Sequence, residues 1–343
     1  MQYASGYKFD RFLYEQVRIF NITGKGDQGM TKRARLIYNP TSGREEMKRR
    51  LAEVLRRLEE GGLETSTHAT TGEGDATKAA AEAVDRGFDV VIAAGGDGTL
   101  YEVINGLCGK PERPPLGILP LGTTNDFARA LGIPKNLEQA CDIITEQFTR
   151  DIDVGKVNDR YYINIAAGGS FTELTYEVPS KLKTVLGQLA YYVKGLEKLP
   201  RLKPIHLDLR CEEITIQEDV MLFLITNSNS VGGFEKLAAD ASLNDGLFDV
   251  IVLKKCNLSE FIRIATLALR GDHLADPNIV YFQTRELEIT SPDYVQLNLD
   301  GELGGTLPAV ITNLQSHLKI FVDESGKSTY TKQLKQLGVR RRQ

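Results

Sequence analysis

From Ala34 to about Gln147, short apolar runs alternate with segments whose apolar residues recur every three or four positions. ARLIYN is followed by Met47, Leu51, Val54, Leu55 and Leu58 on one stripe, which predicts a strand and then a helix. The beat repeats: ETSTHAT before the Ala-rich segment from Asp75, DVVIAA before Leu100, Val103, Ile104 and Leu107, and PLGILP before NDFARAL. Strands alternating with helices predict a parallel sheet covered on both faces, and the unbroken apolar run from Val90 to Ala94 suits a strand buried on both sides. After about Arg150 the pattern becomes closely spaced alternating strands: DIDVGKV, RYYINIAA, PIHLDLRC, MLFLITN, LFDVIVL, RELEITS, VQLNLD and HLKIFVD. Two helical segments interrupt them, roughly Ser180 to Leu199 and Leu258 to Leu269. The expected organisation is a poorly ordered extension over 1–29, an α/β domain over 30–150, and a mostly antiparallel β-rich domain over 151–314. The closing stretch 315–343 is free to rejoin the first domain.

With 343 residues, 41% of them hydrophobic, the chain can bury two ordinary cores. A net charge of −4 with 26% charged residues points neither to disorder nor to a nucleic-acid partner. Cys108, Cys141, Cys211 and Cys256 are widely separated, with no Cys-x-x-Cys pair, which argues against a zinc site or a disulfide scaffold. No apolar stretch reaches the ~18 residues of a membrane span, and no signal-peptide core stands at the N-terminus. The expectation is a soluble, cytoplasmic protein.

Chemistry concentrates in the loops after the first four predicted strands. The third strand ends at Ala94 and its helix is expected near Thr99, leaving Gly95 to Gly98 as a connecting loop. Glycines allow close approach of backbone to an anion, and the following helix offers free N–H groups. Asp97 would repel a phosphate unless a cation intervened, so it suits a water-linked Mg²⁺; the plainer reading is a turn with Asp97 capping the helix. The spacing is not the dinucleotide fingerprint G-x-G-x-x-G, and Gly326-Lys327-Ser328 lacks the first glycine of a P-loop. Asn39 to Gly43 (NPTSG), Thr70, and Gly122 to Phe127 (GTTNDF) end the first, second and fourth strands with hydroxyls, amides and the Asp126 carboxylate. Four such loops at one sheet edge describe a cleft for a polyanion. Further on, Val295, Leu297 and Leu299 alternate, so Asp300 and Glu302 are expected together on the opposite face of one strand, a pair from which one carboxylate can act as base. The alternative is an Asp-Gly-Glu turn on the surface.

NPTSG (39–43), GGDGTLYEV (95–103), GTTNDFAR (122–129), LNDGLFDV (243–250) and LDGE (299–302), in this order, resemble the soluble bacterial diacylglycerol kinases of the diacylglycerol and sphingosine lipid-kinase group. The resemblance covers about residues 30 to 325. It implies ATP- and Mg²⁺-dependent phosphorylation of diacylglycerol to phosphatidic acid, in phospholipid recycling. It implies ATP contacts at Asn39, Pro40, Thr41, Ser42, Gly43, Thr70, Gly96, Asp97, Gly98, Thr99, Leu100, Tyr101, Glu102 and Thr123. It also implies Mg²⁺ held by Asp245 with carbonyls of Ser242 and Leu247, linked through water toward Asp97. The proton acceptor falls in LDGE, Glu302 first and Asp300 next, with Asp97 and Asp126 as further catalytic candidates. Two positions depart from the pattern: Tyr101 stands where Asn is usual, and Leu243-Asn244-Asp245-Gly246 where LDDG is usual.

A kinase with a lipid acceptor must touch the membrane surface. Residues 180–204 carry six Lys or Arg against one Glu, interleaved with Leu, Val and paired tyrosines. That composition suits an interfacial helix, and equally an ordinary helix with a solvated basic face. Arg340 to Arg342 form a weaker basic cluster. Other readings are a kinase for a sphingoid base or phosphatidylglycerol, an NAD kinase, and a non-catalytic nucleotide- or lipid-binding regulator. A homodimer is compatible with the group.

Overall fold

The computed structural model of the chain describes residues 31–169, 203–227 and 242–323. The extension 1–29, most of the basic segment 180–204, and Arg340 to Arg342 lie outside the described residues. Contacts divide the chain between Thr31 and Lys32.

Beyond that point the first half follows the expected beat. β1 (Lys32–Tyr38), α1 (Ser42–Glu60), β2 (Leu63–Ala69), α2 (Asp75–Asp85), β3 (Val90–Gly95), α3 (Asp97–Cys108), β4 (Leu116–Pro120), α4 (Asp126–Ala130) and α5 (Leu137–Thr145) succeed one another. The four strands pair in parallel in the order β2-β1-β3-β4. Every residue of β3 and β4 is buried, as an apolar strand covered on both faces must be. Met47, Val54 and Leu58 of α1 and Val103, Ile104 and Leu107 of α3 close the core over the sheet.

The second half is antiparallel, as expected. Its strands are β5 (Thr149–Val157), β6 (Arg160–Tyr162), β7 (Ile165–Gly169), β8 (Ile205–Arg210), β9 (Thr215–Thr226), β10 (Phe248–Lys254), β11 (Ile279–Thr284), β12 (Glu286–Thr290), β13 (Gln296–Leu299), β14 (Glu302–Thr306) and β15 (Ala309–Phe321). A helix, α6 (Leu258–Arg270), follows β10 and opens with a capping box between Asn257 and Glu260. Leu207, Phe223, Val250, Leu287 and Leu297 belong to a second buried core.

β15 joins the two halves. It pairs antiparallel with β5 and β12, and its end lies parallel to β4 through Ile320 and Leu116. One long strand therefore carries the sheet from the antiparallel set into the parallel one.

Two expectations need correction. Helix α3 starts at Asp97 rather than near Thr99, so Gly96 alone separates strand from helix. Asp300 and Glu302 do not share a strand: β13 stops at Leu299, which pairs with Glu302, and Asp300-Gly301 form the hairpin turn. Asp300 lies at φ 52 and Gly301 at φ 99, the positive-φ geometry that two-residue hairpin turns require. Strand alternation therefore ends at Leu299, one residue before the acid.

Helices α2 and α3 touch at Gly106, where an added β-carbon would lie 2.2 Å from the Thr77 carbonyl oxygen. Gly106→Ala is expected to force the helices apart and lower stability by ~1–3 kcal/mol, read as an earlier thermal or denaturant midpoint; an unchanged midpoint would show that the contact yields freely.

Candidate active site

The strand order of the parallel sheet reverses between β1 and β3, and crevices of open α/β sheets form beyond the strand ends at such a point. The loops after these strands are bonded together. Asn39 N–H donates to the Ala94 carbonyl at 3.0 Å, and Thr70 N–H to the Tyr38 carbonyl at 2.9 Å. Asn39 Oδ1 accepts from Thr41 N–H and its hydroxyl, which folds NPTSG back on itself. At Gly43, Arg44 and Glu45 the backbone is left-handed before α1 settles into regular helix.

A cleft of about 370 Å³ opens here, lined by Asn39, Pro40, Thr41, Thr70, Thr71, Gly72, Glu73, Ala76, Gly98, Thr99 and Glu102. Seven of these were expected from the sequence. Thr71, Gly72, Glu73 and Ala76 were not, although TGEG after β2 has the same small and polar character as its neighbours. Among the described residues no cationic side chain lines the cleft, and Glu73 and Glu102 add two carboxylates. An anion held here relies on N–H groups, hydroxyls and the α3 terminus, with a divalent cation to offset the acids. Glu102 Oε2 accepts from Ala76 N–H at 3.0 Å, tying α3 to the first turn of α2.

Leu100 and Tyr101 face away from the cleft. Leu100 packs in the core of the parallel sheet and Tyr101 in that of the antiparallel strands, so their backbone alone is left for a nucleotide. Ser42, Gly43, Gly96, Asp97 and Thr123 do not line the cleft either. Thr123 is exposed, its carbonyl accepting from Lys135 Nζ.

Asp97 does not cap its own helix. Its Oδ2 accepts from Asn125 N–H at 3.0 Å and its Oδ1 from Asp126 N–H at 2.9 Å, so one carboxylate holds the GTTND loop against the GGDG loop. The loops meet closely: a β-carbon on Gly122 would stand 2.6 Å from Gly96 Cα. Asn125 closes the turn, its Oδ1 accepting from Gly122 N–H and its Nδ2 donating to the Gly122 carbonyl. Asp126 pairs with Arg129 one turn along α4.

The β13–β14 hairpin reaches the same place from the antiparallel side. A β-carbon on Gly98 would stand 2.9 Å from Glu302 Oε1, so the exposed Glu302 carboxylate rests against the start of α3. Asp300 turns inward. Its Oδ2 accepts from Ile163 N–H at 2.8 Å, and its Oδ1 from Asn164 and Ile165 N–H, each at 2.9 Å. Burial nevertheless pushes the Asp300 carboxyl up to about 6; the three amides oppose the rise, and the Asp97 charge adds to it.

The expected metal turn lies at Ser242 to Leu247. Asp245 Oδ1 accepts from Leu247 N–H, and Ser242 Oγ donates to Asn244 Oδ1. Beneath it lies Asp153, fully buried in β5, which the sequence reading passed over as a strand residue. Its Oδ2 accepts from Gly246 N–H and its Oδ1 from Ser316 N–H, each at 2.7 Å. Burial raises its carboxyl above the usual range, and the neighbouring Asp245 charge adds to this. An acid between Ile152 and Val154, in the buried middle of β5, was the signal. Among the described residues no three His, Cys, Asp or Glu side chains cluster as metal ligands, so a cation here would depend on carbonyl oxygens as well. Two adjacent carboxylates and an all-oxygen donor set fit Mg²⁺.

A cleft lined by small and polar residues at the ends of parallel strands, met by a carboxylate from a β-rich half, is an arrangement suited to a phosphotransferase-type α/β enzyme. Comparison with known proteins narrows this. Residues 33–157 match the family model described as diacylglycerol kinase catalytic domain, and residues 173–322 the one described as YegS C-terminal NAD kinase beta sandwich-like domain. The diacylglycerol kinase of Bacillus subtilis (strain 168) is 58% identical over 290 residues, covering 84% of this chain and 96% of that protein. That of Staphylococcus saprophyticus is 49% identical over 299 residues, covering 87% and 98%. A crystal structure of a diacylglycerol kinase from Bacillus anthracis str. Sterne superposes with a TM-score of 0.73 at 26% identity, covering 87% of this chain and 99% of that one. The chain belongs to the diacylglycerol kinase family, a family of lipid kinases.

The raised Asp300 carboxyl has a sign. Its native form binds a proton more tightly than the unfolded chain does at 3.8, so ionisation opposes folding and its contribution falls as pH rises from 3.8 to about 6. Asp300→Asn is expected to be less stable overall, because one amide loses its acceptor, yet to lack this part of the pH dependence. Melting curves across that range check it; parallel profiles for both proteins would refute it.

Proposed function

We propose that the chain transfers the γ-phosphoryl group of ATP to the free hydroxyl of diacylglycerol, giving phosphatidic acid and ADP and returning membrane diacylglycerol to the phospholipid pool. The observation that carries the reading is the approach of Glu302 to Gly98, which puts an exposed carboxylate beside the phosphate-binding end of α3. Glu302 takes the proton of the acceptor hydroxyl as that oxygen forms a bond to the γ-phosphorus. The bond from that phosphorus to the β–γ bridging oxygen breaks, and ADP leaves with the electron pair.

The other residues hold this arrangement. Asn39 to Gly43, Thr70, Gly96 to Glu102 and Thr123 bind the nucleotide, the phosphates lying on N–H groups and hydroxyls. Asp300, with both oxygens occupied by amides, serves as a support for Glu302 rather than as the base. Asp97 and Asp126 set the GTTND loop. Asp245, with the carbonyls of Ser242 and Leu247, holds Mg²⁺, which when bound supplies positive charge among the acids around the phosphates. On this reading the nucleotide side ends near residue 150 and the acceptor side follows. No helix among the described residues is long and apolar enough to cross a membrane, so the lipid is met at the surface, for which residues 180–204 supply the basic and apolar composition.

Labelled ATP offered with diacylglycerol, phosphatidylglycerol, a sphingoid base and NAD tests the substrate. Phosphatidic acid should form, and Glu302→Ala and Asp97→Ala should each lower its formation by ~10²-fold or more. Labelling of another acceptor, or none above the Glu302→Ala background, overturns the reading. Anionic vesicles should pellet the protein, and less so once Lys181, Lys183, Lys194 and Lys198 are neutralised; equal pelleting removes the interfacial role. Sedimentation decides whether two copies associate.

A further inference from the structure

Asn227 follows the last residue of β9, and the reaction just described gives it no task. It is 1% exposed, and its carboxamide is bonded on every side. Nδ2 donates to the Asp153 carbonyl at 2.7 Å and to the Ile163 carbonyl at 3.3 Å, and Oδ1 accepts from Asn313 Nδ2 at 3.4 Å. The Asn227 N–H donates to the Asn164 carbonyl at 2.9 Å. One buried side chain thus joins the β6–β7 link, β5 and β15, whose bonded residues lie 64, 74 and 86 positions away along the chain. An amide taken from water needs partners of this kind, and here they come from both sides of the candidate site.

On one side is the hairpin. Ile163 and Asn164 give their carbonyls to Asn227 and their N–H groups to Asp300, so the peptide that docks the hairpin is held from two directions. That hairpin brings Glu302 to Gly98. On the other side is the turn expected to hold Mg²⁺. Asp153 gives its carbonyl to Asn227, its N–H donates to the Leu243 carbonyl at 2.7 Å, and its carboxylate accepts from Gly246 N–H. Leu243 and Gly246 bracket Asp245. The β15 partner leads to the same place: Asn313 stands three residues before Ser316, whose N–H binds the second Asp153 oxygen. Two N–H groups on one nitrogen, facing two carbonyl oxygens, are what asparagine supplies here. Aspartate would set a charge against those oxygens, and leucine would leave both without a donor.

We propose that Asn227 is a positioning residue for phosphoryl transfer: it fixes the Glu302 hairpin relative to the Asp245 turn, so that the proton acceptor and the cation ligands serve the same phosphate. Phosphoryl transfer depends on placement, and a displacement of about 1 Å can cost roughly 10²-fold in rate. The carboxylate and the cation ligands stand on loops far apart in the chain, so their spacing needs a common reference. A satisfied amide in a dry interior provides one, because it has a single favourable geometry and no water to relax into. Asn227, Asp153, Ile163 and Asn313 do not line the nucleotide cleft, so ATP binding is not what this amide sets.

The inference rests on the chain being a kinase with Glu302 as proton acceptor, and two measurements on the full chain keep them apart. Turnover of diacylglycerol is compared for the parent and for Asn227→Leu, which keeps the volume and loses both donors. The kcat is expected to fall about 10-fold or more, with KM for ATP within about twofold because the cleft is untouched. Binding of Mn²⁺, as a probe for Mg²⁺, is followed by electron paramagnetic resonance without substrate in the parent, Asn227→Leu, Asp300→Asn and the double variant. Asp300→Asn loosens the hairpin, and should weaken Mn²⁺ binding about fivefold or more in the parent and no further once Asn227 is replaced. Equal weakening in both backgrounds, or none in the parent, overturns the inference. An Asn227→Leu enzyme that melts early but keeps kcat within about twofold of the parent shows a merely structural amide, and overturns it too. Should Asn227→Leu not fold, Asn227→Ser, whose hydroxyl is too short to meet both carbonyls, decides by the same readings. Diacylglycerol left unlabelled by the parent removes the kinase reading, and the Mn²⁺ cycle then still decides whether the hairpin and the turn are coupled.

Discussion

One buried carboxylate governs how the two halves of the site meet. Asp300 sits in a two-residue turn at the end of β13 and gathers three successive backbone N–H groups from the link between β6 and β7. Its own N–H returns to the Ile165 carbonyl at 2.9 Å. A charge taken from water must be compensated by donors at close range, and the only donors that a chain always has are its amides. The hairpin is therefore docked where those amides point, and Glu302, two residues on, arrives beside Gly98.

The same rule recurs at the other acids. Asp97 is bound by the amides of Asn125 and Asp126, Asp153 by those of Gly246 and Ser316. Each joins two loops distant in sequence, and in each the carboxylate acts as a bracket for backbone. Glu302 differs in being exposed. Acids with amides on both oxygens build the walls of this site, and on the reading proposed above the exposed one does the proton transfer. Burial, more than residue type, separates the two roles.

Much of this was legible in the chain. The 3.6-residue stripes of α1 and α3 and the uninterrupted apolar runs of β3 and β4 carry their own burial, because each pattern can be satisfied only by one arrangement of apolar faces. The antiparallel half was readable from alternation, apart from β11 and β14, whose sequences IVYFQT and ELGGT lack it. Glycine and hydroxyl residues at strand ends marked the cleft, since little else lets a backbone approach an anion closely. Less could be said of Asp97, whose nearest sequence neighbours suggest a helix cap while its true partners lie 28 and 29 residues away.

What the sequence by itself determined is the set of local periods: which segments are strands and helices, which faces are apolar, and which loops are small and polar enough to hold phosphate. These depend on residues a few positions apart. Only the tertiary structure decided which carboxylates face amides and which face solvent, that the Asp300–Glu302 pair is divided by a turn, and that Tyr101 packs in the core of the antiparallel half instead of lining the cleft. Those outcomes depend on β15 crossing from one sheet region into the other and on β6 being clamped to α3 through Asn105. Contacts between segments far apart along the chain leave no period in it, so their geometry appears only when the backbone has closed.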